Sequence, residues 1–118
     1  MSRVVHFEIM SKEPEKAAKF YGQAFGWEIK SWEGETEYWI VDTGKDEMGI
    51  GGGIVRMDKL NQPVVNSVGV ESLEPVIEAV EKAGGKVLQG PMEIPDMGRM
   101  AYCSDPEGIV FSLWQAQM

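Results

Sequence analysis

A short pattern occurs twice in this chain, about half its length apart. Ser11-Lys12-Glu13-Pro14 and Ser72-Leu73-Glu74-Pro75 share the form S-x-E-P, and the two serines lie 61 residues apart in a chain of 118. The same succession surrounds each copy: a strand-like stretch, an amphipathic helix, a terminal glycine and three further strand-like stretches. A repeat of this kind constrains the fold more than composition does, because each copy must be one supersecondary unit. Neither half can bury a sheet face alone. The sequence therefore predicts an α+β protein of two βαβββ modules, residues 1–58 and 64–118, joined by a linker at 59–63 and packed around a shared concavity.

The elements follow from local chemistry. Val4–Met10 alternates as a strand, with Phe7 and Ile9 on one side and His6, Glu8 and Met10 on the other. Ser11 offers an N-cap, Pro14 suits a first helical turn, and Ala17, Tyr21 and Phe25 form the helix stripe up to Gly26. Strands are expected over Trp27–Trp32, Thr36–Thr43 and Met48–Met57, with turns at Gly34 and at Gly44–Asp46. The triple glycine Gly51–Gly53 signals a bulge or a close approach to the backbone. In the second module Val64–Val70 is a strand. Ser72 caps a helix carrying Val76, Val80 and Ala83 and ending at Gly84-Gly85. Strands follow at Lys86–Ile94, Arg99–Ser104 and Ile109–Gln115, the last preceded by a turn at Asp105–Gly108. Phe20 and Phe111 are expected in the core.

A net charge of −8, with acidic residues interleaved among eleven Lys and Arg, opposes nucleic acid and anionic membranes as partners. The stretch MSRVVHFEIM lacks a signal-peptide pattern, and no run approaches the roughly 20 apolar residues of a membrane span. The lone Cys103 cannot form an internal disulfide, which agrees with the reducing cytoplasm, the expected location.

Three motifs carry a family resemblance. His6 is followed by Phe20-Tyr21 and then Phe25-Gly26-Trp27; Gly84-Gly85-Lys86-Val87 follows the second helix; and Asp105-Pro106-Glu107-Gly108 leads into Phe111-Ser112-Leu113-Trp114-Gln115. In order and spacing these resemble the vicinal oxygen chelate superfamily, the group of glyoxalase I, bleomycin-resistance proteins and extradiol dioxygenases. The resemblance implies a curved sheet with a cleft for a small ligand, often with a divalent metal held by His and Glu from the first and last strands of each module.

Of those ligand positions only His6 carries a metal donor. Spacing to Gly84-Gly85 puts the second module's counterpart of His6 at Val65 or Asn66. The terminal Glu position falls at Ser112, and its first-module equivalent falls within Gly51–Gly53. A firmly held divalent ion needs three or four suitable donors. No cofactor is therefore expected; were a metal to bind, His6 would be its ligand, with Glu8 beside it.

The ligand-binding candidates are His6, Glu8, Met10, Ser112 and Trp114, which share one strand face, with Val110 in the same register and Trp32 and Trp39 as further wall residues. No catalytic residue is assigned. Ser112 lacks a nucleophile elbow, and Cys103 has no evident activator. The first expectation is a protein that binds a small organic molecule in a metal-free cleft and forms a homodimer. A metal-dependent lyase, isomerase or dioxygenase and a non-catalytic interaction subunit are the alternatives.

Overall fold

A computed structural model describes residues 2–32, 37–46, 48–56 and 62–116. The turn expected at Gly34, the strand ends Thr36 and Met57 and most of the linker lie outside the described residues. The elements are β1 (Arg3–Ser11), α1 (Pro14–Phe25), β2 (Glu28–Trp32), β3 (Tyr38–Asp42), β4 (Gly51–Arg56), β5 (Val64–Gly69), α2 (Leu73–Lys82), β6 (Lys86–Ile94), β7 (Gly98–Ser104) and β8 (Val110–Ala116). They divide into two compact units, residues 6–65 and residues 66–118 with 1–5. Each unit is built on one βαβββ succession.

In the first, the strand order is β2-β3-β4-β1. The β4 strand runs parallel to β1 and antiparallel to β3, and β2–β3 is antiparallel. The parallel pairing follows from the crossover through α1 and two further strands, a connection that a hairpin cannot make. In the second, the order β5-β8-β7-β6 repeats the scheme, with β5–β8 parallel and β8–β7 and β7–β6 antiparallel. The expected repeat of element order is present in full.

Each helix covers one face of its own strands. Ala18 packs with Val41 and Ile54, and Phe7, Ile9, Tyr21, Trp27, Ile29 and Trp39 close around them. In the second unit Leu73 packs with Val70, Ala101, Cys103 and Leu113, flanked by Val68, Val76, Ile77, Val80, Val87 and Phe111. Burying side chains such as Ile54, Leu73 and Leu113 stabilises the fold by about 1.5–3 kcal/mol each. Period two then sends His6, Glu8 and Met10, and likewise Ser67, Ser112 and Trp114, to the strand faces away from the helices.

Four expectations need correction. Ser11 does not cap α1: its Oγ accepts the Glu13 N–H at 3.1 Å, before the helix begins, and Glu13 occupies the N-cap. Pro14 at the helix start disfavours helical geometry in Glu13, which sits at φ −135° and ψ 79°. Ser72 is the N-cap of α2, yet its hydroxyl makes no capping bond. The Leu73 N–H goes instead to Gln115 Oε1 at 2.9 Å. Phe20 is not in the core; it is 58% exposed, on the flank of α1 beside the equally open Phe25. Trp39 packs against the Ile54 cluster beneath α1, so it lies on the opposite strand face from His6.

The triple glycine forms no bulge. Gly51, Gly52 and Gly53 pair in unbroken register with His6, Phe7 and Glu8. The second reading of the motif, a close approach, is the one the structure bears out. A Cβ on Gly52 would strike the Phe7 ring, and a Cβ on Gly53 would strike the phenol of Tyr38.

Candidate functional site

The polar face of the first unit is organised by Tyr38, which the sequence reading did not single out. Its hydroxyl lies 2.7 Å from His6 Nε2 and is also hydrogen-bonded to Glu8. Three residues from two strands thus meet over a backbone position with no side chain. Glu8 is only 4% exposed, so it is a buried polar residue and not a solvated strand residue. Trp32 stands edge-on to Tyr38, with ring centroids 6.5 Å apart, and is the one of the two expected wall tryptophans on this side.

Protonation follows from the environment. Burial, and then the charge and hydrogen bond of Glu8, push the Tyr38 phenol far above its ordinary range, so it keeps its proton. The contact with His6 takes its direction from the imidazole tautomer: a ring protonated at Nε2 donates to the phenol oxygen, and one protonated at Nδ1 accepts from it. Burial also lowers the pKa of His6, favouring the neutral ring. A consequence is testable in stability. The folded state takes up this proton less readily than the unfolded chain, whose histidine titrates near about 6.5. The contribution of His6 is therefore complete above that pH and is lost as pH falls towards the lower folded value. Chemical denaturation across pH 5–8 is expected to show wild type losing stability relative to His6→Gln only on the acid side; parallel curves would refute it.

In the second unit Ser112 Oγ donates to Ser67 Oγ at 2.6 Å, and both residues are buried. Ser67 is the other residue missed from sequence. The 61-residue offset that relates Ser11 to Ser72 carries His6 to Ser67 and Gly51 to Ser112. The strand pairing agrees, since His6 faces Gly51 and Ser67 faces Ser112. The counterpart of His6 is thus Ser67. Val65 and Asn66, the positions expected from the glycine spacing, lie one or two residues away; Val65 is fully buried. A partner hydroxyl is no general base at neutral pH, so Ser112 is not equipped as a nucleophile. Cys103 is buried in the α2 core, and desolvation, with Glu81 nearby, raises its thiol pKa, leaving it inert. Met10 is buried and Trp114 half-buried on their respective strands.

The donor set does not fit a divalent ion. The four positions that would supply ligands hold His6, Gly51, Ser67 and Ser112. The imidazole is engaged with a phenol, and the two hydroxyls satisfy each other. Among the described residues no three His, Cys, Asp or Glu side chains converge.

This architecture is shared with solved proteins. The chain aligns over 98% of its length with 98% of Streptomyces coelicolor methylmalonyl-CoA epimerase, at a TM-score of 0.75 and 14% identity. It aligns over 99% of its length with 96% of the hypothetical protein BH1468 from Bacillus halodurans C-125, at a TM-score of 0.76 and 12% identity. The fold is therefore the α+β fold of glyoxalase-like proteins. Residues 3–113 match the model of the Glyoxalase/Bleomycin resistance protein/Dioxygenase superfamily, and the chain belongs to that family. Among curated relatives, CFP32 of Mycobacterium tuberculosis, provisionally named a glyoxylase, is 27% identical over 130 residues, an alignment covering 92% of this chain and 44% of CFP32. The chain spans about half the length of that relative. No helix among the described residues is long and apolar enough to cross a membrane.

Proposed function

We propose that this chain binds a small organic molecule without the help of a metal ion on the polar strand face that carries His6, Glu8 and Met10, with Ser112 and Trp114 as the candidates on the corresponding face of the second unit. The observation that carries the reading is the pairing of the polar groups. His6 is joined to Tyr38 and Ser112 to Ser67, where a metal-dependent relative would need free imidazole and carboxylate donors. Such a face still offers hydrogen bonds beside aromatic surface, the combination that orients small ligands. The Trp32–Tyr38 pair supplies that surface in the first unit. Lyase, isomerase or dioxygenase chemistry through a bound metal is disfavoured by the same donor set. We further propose a cytoplasmic protein that acts as a homodimer, with neither nucleic acid nor membrane as partner.

A fragment screen followed by protein-observed NMR titration tests the ligand reading. His6→Ala is expected to weaken a bound fragment by about 1 kcal/mol, roughly fivefold, through loss of one hydrogen bond. Unchanged affinity in His6→Ala, Glu8→Ala and Ser112→Ala alike would move function away from these faces and put the interaction-subunit alternative ahead.

A further inference from the structure

We infer that Tyr38 takes the place of the missing metal in the first unit: its phenol fills the space above Gly53, ties His6 to Glu8, and holds the imidazole as the Nε2–H tautomer, so that His6 is not open to a metal. Three independent features converge on this role. The phenol oxygen lies 2.7 Å from His6 Nε2, within hydrogen-bonding reach, so that this ring nitrogen is already engaged. A Cβ at Gly53 would run into Tyr38, so residue 53 must lack a side chain for the phenol to sit there. Glu8 faces Gly53 across the β1–β4 pairing, and its carboxyl group is hydrogen-bonded to the same phenol. The tyrosine and the glycine therefore form one unit: a side chain at position 53 and a phenol from position 38 compete for the same space.

Tyr38 is by this account a positioning residue, acting through His6. A neutral phenol can bridge a donor N–H and an acceptor carboxylate, as an ion bridges two lone pairs, but with the imidazole lone pair turned to Nδ1. The inference goes beyond ligand binding and holds whatever molecule the protein binds.

Its test uses the fact that His6 is the only histidine. In 15N-labelled protein near pH 7.5, the ring nitrogens are expected to give the signature of a neutral imidazole protonated at Nε2. In Tyr38→Phe that preference should collapse towards the mixture seen in free histidine. A loss of packing alone would not move it. Cobalt(II) alone is then titrated into both proteins and into the double variant Tyr38→Ala/Gly53→Glu, in which His6, Glu8 and the introduced carboxylate can converge. Wild type is expected to show no visible ligand-field band and no His6 perturbation, and the double variant to gain a saturable band. A wild-type imidazole protonated at Nδ1, an unchanged tautomer in Tyr38→Phe, cobalt bound through His6 with Tyr38 intact, or a folded double variant that takes no cobalt would each overturn the inference. Should the double variant fail to fold, the tautomer comparison decides alone.

Discussion

Gly52→Ala is expected to lower the unfolding free energy by about 3 kcal/mol or more, the upper range for overpacking a close-packed core. Gly52 is buried in β4 beside Phe7 of β1, its pairing partner. An added methyl would overlap the Phe7 ring and stand 2.5 Å from the Phe7 carbonyl oxygen. The ring could turn only by leaving the cluster formed with Ala18, Val41 and Ile54. The carbonyl cannot turn without breaking the parallel ladder. Both remedies are costly, and a protein of this size has only about 5–15 kcal/mol in reserve. Thermal unfolding should fall by more than about 10 °C. Gly53→Ala provides the contrast, because its methyl meets the far end of Tyr38 and not backbone. It should cost less stability while detaching Tyr38 from His6. Equal melting temperatures for Gly52→Ala and wild type would mean that β1 and β4 are not packed as described.

The fold was legible in the sequence because its signals are local and repeated. Alternation around Phe7 and Ile9 and proline in the first turn of both helices act over a few residues, the S-x-E-P offset repeats the scheme, and every expected element forms, although β4 begins at Gly51 and not at Met48. The candidate site was legible only in part. Alternation placed Glu8 beside His6 on one face, but it could not show that Glu8 is buried. Tyr38 escaped notice because its partners are about thirty residues away, through the β1–β4 and β4–β3 pairings. The unused signal was Gly51–Gly53. Glycine where a strand should carry side chains means that neighbours claim the space, and an aromatic on the adjacent strand is the natural claimant. Ser67 was within reach of the 61-residue offset, but the spacing to Gly84-Gly85 pointed elsewhere, since α2 has 10 residues where α1 has 12.

The helix flanks pose the complementary problem, since hydrophobicity alone does not tell core from surface. Leu113→Ala is expected to destabilise the protein by about 2–5 kcal/mol, whereas Phe20→Ala should cost less than about 1 kcal/mol. Leu113 is 2% exposed and meets Leu73, Ala101 and Cys103, so truncation leaves a cavity between α2 and the strands it covers. Phe20 removes more carbon when truncated, but most of that ring already faces water. Its ring stands edge-on to Tyr21, at 5.1 Å between centroids. An aromatic pair of that kind contributes about 0.5–1.5 kcal/mol at best, and less where solvent reaches it. Alanine also has the higher helix propensity, which offsets part of the loss. Urea denaturation of both variants, with unchanged denaturant dependence as the check on two-state behaviour, separates the two positions. A Phe20→Ala loss as large as that of Leu113→Ala would mean that Phe20 is covered in solution, and a second copy of this chain packed against α1 would then be the first explanation to test, by sedimentation of wild type and variant.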